Sequence, residues 1–126
     1  MNHLEDAEQK ALIQWANKTK QNINEIGRYL FAIPNGGKRD KREAVRLKAQ
    51  GVKAGVSDLF YPVARGGYFG LWIEMKVGRN KPTEKQKVWL RDMDEQGFLT
   101  AVCYNWLEAR DIIKNYLLEP ETQTID

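Results

Sequence analysis

The stretch Gly55-Val56-Ser57-Asp58-Leu59-Phe60, followed after a short turn by Leu71-Trp72-Ile73-Glu74-Met75-Lys76, contains the most informative residues of this chain. Side chains alternate between the two faces of a β-strand, so Glu74 and Lys76 are expected on one face and their apolar neighbours on the other, toward a core. Carboxylates supply hard oxygen ligands for a Mg²⁺-like ion, and an ammonium group stabilises charge beside a phosphate. The pattern therefore points to metal-assisted hydrolysis of a phosphodiester bond.

The Glu-x-Lys spacing alone also fits an amphipathic strand whose charged side chains merely face water. Three neighbouring features favour a site. Asp58 begins an apolar strand directly after the flexible run of residues 51–55, and Glu74 lies in an apolar run, where an unpaired carboxylate would be costly. A helix that carries Gln86 follows within a few residues.

Four segments together resemble the VRR-NUC nuclease family, a branch of the PD-(D/E)xK nuclease superfamily. They are residues 33–37 (IPNGG), 46–58 (RLKAQGVKAGVSD), 73–77 (IEMKV) and 86–90 (QKVWL). The similarity extends from about residue 8 to about residue 117. Ser57 stands where the superfamily has a proline before the aspartate, and Val-Ser-Asp is similar to an accepted variant within the family.

The resemblance implies a Mg²⁺- or Mn²⁺-dependent endodeoxyribonuclease. By this resemblance, Asp58, Glu74 and the backbone carbonyl of Met75 bind the metal, and Lys76 orients the attacking water and stabilises charge on the phosphate. Gln86 would support the active centre, although it also completes a possible helix-capping box with Thr83. Cleavage would leave a 5′-phosphate and a 3′-hydroxyl.

The first predicted helix, residues 4–18, places an acidic residue among apolar ones. Leu4, Glu8, Leu12 and Trp15 recur at helical spacing. Glu8 could simply lie at the edge of this stripe. The resemblance implies instead that Glu8, by its position, approaches the metal site and holds a second ion or a metal-bound water.

Basic residues are concentrated before and after the two predicted strands, in a chain of net charge +3. Such a distribution is typical of a phosphate-binding surface, although a solvated helix face with local salt bridges is the alternative. Asn35, Gly36 and Gly37 form a turn that could also let a DNA backbone approach closely. The candidate DNA-binding residues are Asn35, Gly36, Gly37, Lys38, Arg39, Lys41, Arg42, Arg46, Lys53, Arg79, Lys81 and Lys87.

The 126 residues suit one compact domain, expected over residues 1–118 with a polar and frayed tail at 119–126. No apolar run is long enough to span a bilayer, and the polar N-terminus is not typical of a signal peptide. Cys103, the one cysteine, excludes an internal disulfide and fits a buried thiol in a reducing cytoplasm, either of a bacterium or of a phage-infected cell.

Hydrophobic periodicity and turn signals predict the element order α-β-α-β-β-α-β-α, a mixed four-stranded α/β sheet flanked by helices. The resemblance implies the restriction-endonuclease-like core. The predicted helices cover residues 4–18, 38–50, 83–96 and 105 onward, and the predicted strands cover 29–33, 58–61, 68–77 and 99–104. The last helix is expected to bury Leu107, Ile112, Ile113, Tyr116 and Leu117.

A minimal core without added domains is expected to recognise DNA shape rather than base sequence. Stand-alone members of the resembled family act as homodimers that resolve four-way (Holliday) junctions, which is the favoured interpretation here. The alternatives are a flap or nicking nuclease, a restriction-like enzyme, and a non-catalytic DNA-binding module that kept the fold. Tyr61, Tyr68, Phe69 and Trp72 are candidates for the dimer contact.

Overall fold

The computed structural model describes residues 3–18, 26–34 and 40–123. Its elements are α1 (His3–Lys18), α2 (Ile26–Tyr29), β1 (Phe31–Ala32), α3 (Lys41–Ala49), β2 (Leu59–Tyr61), β3 (Leu71–Met75), α4 (Glu84–Glu95), β4 (Leu99–Cys103) and α5 (Trp106–Leu118). The predicted α/β class and the mixed four-stranded sheet are confirmed. The predicted order lacked only α2.

The sheet has the order β1-β2-β3-β4. β1 pairs antiparallel with β2, β2 antiparallel with β3, and β3 parallel with β4. β3 is therefore a central strand with a neighbour on each side.

The alternation in β3 separates two faces of the sheet. Leu71, Ile73 and Met75 are fully buried in the core that α1 and α5 complete with Leu12 and Ile113. On the opposite face, Trp72 stacks on Phe60 at 4.2 Å between ring centroids and meets Trp89 of α4 edge-on at 5.2 Å. Helices thus cover both faces of the sheet, as the sequence predicted.

Three helices begin at residues whose side chains cap them, and α3 starts at Lys41 rather than at the predicted residue 38. Asp40 caps α3 by accepting from the Glu43 N–H, and Thr83 forms a full capping box with Gln86 at the start of α4. Asn105 caps α5 by accepting from the Glu108 N–H. The Glu108 carboxylate accepts from the N–H of Tyr104 rather than from that of Asn105, so Asn105 caps α5 without the reciprocal bond of a capping box.

Several local predictions were wrong. Leu107 is exposed rather than buried, and Leu4 is 67% exposed, so Leu4 does not belong to the buried face of α1. β1 has two residues instead of five because Ile26–Tyr29 form a short helix in front of it.

The expectation of a frayed tail is wrong for residues 120–122. The Pro120 carbonyl accepts from the Gly66 N–H, and the backbones of Glu121 and Arg65 form an isolated antiparallel β-bridge. The Thr122 hydroxyl donates to the Tyr68 carbonyl. These contacts attach the segment to the turn that precedes β3.

Candidate active site

Two carboxyl groups meet where β2 begins and β3 ends. Leu59 pairs with Ile73, and the same antiparallel register sets Asp58 opposite Glu74. The two side chains are hydrogen-bonded to each other. Asp58 Oδ2 also accepts from the Met75 N–H at 2.7 Å, which fixes the aspartate beside the middle residue of the Glu-x-Lys motif.

Burial dominates the electrostatics of Glu74, which is 1% exposed. Loss of solvent, the hydrogen bond with Asp58 and the charge of Asp58 raise the pKa of Glu74 to about 9, while the ammonium of Lys76 acts in the opposite direction. Glu74 Oε1 has no hydrogen-bond partner among the described residues. A buried carboxyl oxygen left without a partner is costly.

Lys76 lies immediately beyond β3 and is 8% exposed. Its backbone N–H donates to the Cys103 carbonyl at 2.9 Å, which continues the β3–β4 pairing and holds the residue in line with Glu74. A lysine so well buried is unusual unless a negative charge compensates it. Here the paired carboxyl groups of Asp58 and Glu74 supply the compensating negative charge from within the protein.

The donor set fits one hard divalent cation. Asp58 and Glu74 offer carboxylate oxygens, and the orphaned Glu74 Oε1 would gain a partner. Nowhere in residues 3–18, 26–34 and 40–123 do three or more His, Cys, Asp or Glu side chains form a metal cluster. Mg²⁺ suits so small a protein donor set, because it usually keeps several waters beside one or two carboxylates.

Comparisons with known proteins place this arrangement in a family. The sequence pattern of the VRR-NUC domain matches residues 3–106. The chain belongs to the VRR-NUC family. A solved structure described as a VRR_NUC domain protein superposes with a TM-score of 0.81 at 27% identity, covering 98% of this chain and 99% of that chain. No curated protein matches the sequence. VRR-NUC is a nuclease family, and a nuclease domain implies a DNA substrate.

Two acidic residues of α1, Glu5 and the sequence-predicted Glu8, have different surroundings. Glu5 is buried and its charge contributes to the raised pKa of Glu74. Glu8 instead accepts from the Trp106 N–H at 2.7 Å through Oε2, at the start of α5. Glu5 was not predicted from the sequence, although its spacing of seven and eleven residues from the buried Leu12 and Ala16 places it on the same helical face.

Gln86 occupies the first turn of α4. The Gln86 side-chain Oε1 accepts from the Thr83 backbone N–H at 2.8 Å, and the Gln86 backbone N–H donates to Thr83 Oγ1 at 3.2 Å. The capping role is thus present. Because Oε1 is engaged, the side-chain NH₂ is the group that Gln86 can offer to a ligand.

The described candidate DNA-binding residues are all exposed and lie on α3, on α4 and on the loops before β2 and after β3. Two of them have acidic neighbours: Arg46 lies 3.6 Å from Glu43, and Lys87 lies 3.3 Å from Glu84. Such exposed pairs contribute little to stability and do not prevent a phosphate contact. Lys41, Arg42, Lys53, Arg79 and Lys81 are exposed, while Asn35, Gly36, Gly37, Lys38 and Arg39 lie outside the described residues.

No helix among the described residues is long and apolar enough to cross a membrane.

Proposed function

We propose that this VRR-NUC protein is a Mg²⁺- or Mn²⁺-dependent endodeoxyribonuclease that cleaves branched DNA as a homodimer, with four-way junctions as its substrate. The observation that carries the proposal is the buried pair of Asp58 and Glu74, with Lys76 buried beside it and one oxygen of Glu74 without a partner in the described part of the chain. A solvated amphipathic strand would leave these side chains in water. Two acidic side chains buried together with a lysine are typical of a functional site. Charged side chains that merely face water on an amphipathic strand are not.

Asp58, Glu74 and the backbone carbonyl of Met75 are the proposed metal ligands. When bound, the ion would polarise a phosphoryl oxygen and lower the pKa of a bound water. The protein's own contribution begins with orientation. The Met75 N–H donates to Asp58 Oδ2, which fixes the orientation of the Asp58 carboxylate beside Glu74.

Lys76 is proposed to orient the attacking water and to stabilise negative charge on the phosphate. The backbone of Lys76 is held by the continued β3–β4 pairing, and its side chain is buried beside the carboxyl groups. A preorganised charge in a site with little water is worth more than the same charge in solvent. Gln86 is proposed to add a donor through its side-chain NH₂.

For the acidic residue of α1, the structure supports Glu5 more than the sequence-predicted Glu8. Of these two residues, Glu5 contributes to the raised pKa of Glu74, whereas the Glu8 carboxylate accepts from the first amide of α5. Comparison of Mn²⁺ affinity in Glu5→Gln and Glu8→Gln separates the two. A loss confined to Glu5→Gln supports Glu5, and a loss confined to Glu8→Gln supports the original assignment.

A DNA substrate fits the exposed cations of α3. None of the residues in this helix is buried, and four of its nine residues are Lys or Arg. Phosphate contacts of this kind orient a duplex without reading its bases. We propose that α3 and the loop residues Lys53, Arg79 and Lys81 contact the DNA backbone.

The proposed preference for four-way junctions and the proposed homodimer are linked by symmetry. A four-way junction presents two symmetry-related scissile phosphates, and a two-fold dimer would present two sites. Of the four aromatic candidates for the contact, Tyr61 is fully buried in the core and is excluded, while Phe69 is 59% exposed. Phe69 is therefore the best of the four candidates.

One assay tests the proposal. Purified protein is incubated with four-way junction, flap and linear duplex DNA in Mg²⁺, Mn²⁺ or EDTA, beside Asp58→Asn and a control at an exposed carboxylate of α4, Glu95→Gln. We expect junction cleavage with either metal in wild type and control, and none in EDTA or in Asp58→Asn. Preferred flap cleavage by a protein that sediments as a monomer would favour the flap or nicking alternative. Metal-independent binding without cleavage would favour the non-catalytic module.

A further inference from the structure

Two glycines bound the turn between α3 and β2, and both require a left-handed backbone. Gly51 has a φ of 101° and Gly55 a φ of 90°. Such angles are easy for glycine and strained for most other residues. The requirement for a positive φ is therefore common to Gly51 and Gly55, and it does not distinguish the two positions.

The surroundings of the two glycines differ. A Cβ on Gly55 would lie 2.8 Å from both the Cβ and the carbonyl oxygen of Lys85, and 2.9 Å from its carbonyl carbon. A Cβ on Gly51 would meet no atom of the described residues within 4 Å. Two of the three close atoms at Gly55 belong to the backbone of a helix, so rotation of a side chain cannot relieve the contact.

This contact connects two parts of the proposed site that are distant in sequence. Gly55 precedes Asp58 by three residues, and Lys85 precedes Gln86 in the first turn of α4. The Thr83–Gln86 capping box fixes that turn, and Trp89 of the same helix packs on Trp72 of β3. The position of the turn against α4 therefore bears on where Asp58 stands relative to Gln86.

We infer that Gly55 is a positioning residue: the absence of a side chain lets the Asp58-bearing turn seat directly on the first turn of α4, which fixes Asp58 relative to Gln86. The inference rests on the proposed nuclease function of Asp58. Misplacement by about 1 Å can cost on the order of 10²-fold in rate, so this contact bears on the catalytic step more than on DNA affinity.

Matched substitutions at the two glycines test the inference. Asparagine tolerates a positive φ better than other residues with a side chain, so Gly51→Asn and Gly55→Asn differ chiefly in the contact with Lys85. We expect Gly55→Asn to lower the single-turnover rate at saturating enzyme by on the order of 10²-fold while DNA affinity stays near that of wild type. Gly51→Asn should keep the wild-type rate, and so should Lys85→Ala, which retains the Cβ.

Two readouts do not depend on cleavage. Calorimetry should show weaker Mn²⁺ binding in Gly55→Asn and unchanged binding in Gly51→Asn. In the wild-type protein, Mn²⁺ should slow amide hydrogen exchange at Lys87, whose N–H bonds to the Thr83 carbonyl, as well as at Met75 beside Asp58. The exchange experiment keeps the inference testable if Gly55→Asn does not fold.

The failures are distinguishable. A wild-type protein that neither binds Mn²⁺ nor cleaves DNA contradicts the proposed function. An active wild type with equal rates and equal Mn²⁺ affinities in the two asparagine variants contradicts only the positioning role of Gly55, as does Mn²⁺ protection at Met75 without any at Lys87.

Discussion

β3 and α3 carry charged residues in opposite ways. In β3 and the residue after it, Glu74 and Lys76 are buried beside Asp58 at the centre of the sheet. In α3 none of the residues is buried, and Val45 is 69% exposed. Buried charges need partners that the protein or a ligand supplies, whereas exposed charges are satisfied by water. The first pattern therefore points to chemistry, and the second to a surface for a charged partner.

The largest expected effect lies at the acid pair. Glu74→Gln keeps the shape of the side chain but removes the charge that the proposed metal site requires, so cleavage should fall below detection and Mn²⁺ affinity should drop. The control, Glu95→Gln, removes an exposed carboxylate from α4 and should match wild type. Calorimetry that shows equal Mn²⁺ affinity in wild type and Glu74→Gln would remove Glu74 from the metal site.

Lys76 comes next. Lys76→Ala should keep Mn²⁺ and DNA binding but lose about 10²–10³-fold in single-turnover rate, the usual effect of deleting one electrostatic stabiliser. Lys76→Gln should be similarly slow, because it keeps most of the length and loses the charge. A near wild-type rate in Lys76→Ala would mean that the Glu-x-Lys spacing in this strand has no catalytic role.

A smaller and purely electrostatic effect is expected on α3. Lys41→Glu with Arg42→Glu should weaken junction binding at low salt and reduce the slope of log affinity against log salt by roughly one for each lost phosphate contact. Folding should be unaffected, since both side chains are exposed. The matched control is Lys114→Glu on the exposed side of α5. An unchanged slope in the double variant would show that α3 does not contact DNA.

The two regions also differ in what sequence reasoning could predict. For α3, the cap at Asp40 and the stop at residues 50–51 are local signals, and both ends were predicted to within a few residues. For β3, alternation predicted that Leu71, Ile73 and Met75 face the core, and all three are buried there. Capping residues, turn residues and hydrophobic periodicity thus suffice to predict the ends of a helix and the faces of a strand when these depend only on the element's own residues.

Features that depend on packing between distant segments were missed. A Cβ on Gly27 would lie 2.8 Å from the Asn17 Cα, so α2 forms where glycine permits a close approach to α1, and no pattern inside residues 26–29 signals this. The seating of Gly55 on Lys85 is of the same kind. The burial of Glu5 was also missed, because the buried face of α1, with Glu5, Leu12 and Ala16, is offset from the predicted stripe that begins at the exposed Leu4.

The last and smallest effect is on stability without metal. Burial and Asp58 raise the pKa of Glu74 to about 9, so the folded protein holds a proton that the unfolded chain releases above its ordinary value near 4.5. Stability from this group is complete below that value and is lost as the pH rises toward 9. In EDTA, Glu74→Gln should therefore melt above wild type at pH 8, by roughly 3 °C or more, and the gap should close at pH 5. Glu95→Gln should show no such pH-dependent gap. A gap that is equal at both pH values would mean that Glu74 does not carry a strongly raised pKa in the folded state, and the contrast between a buried acid pair and an exposed basic helix would lose its electrostatic basis.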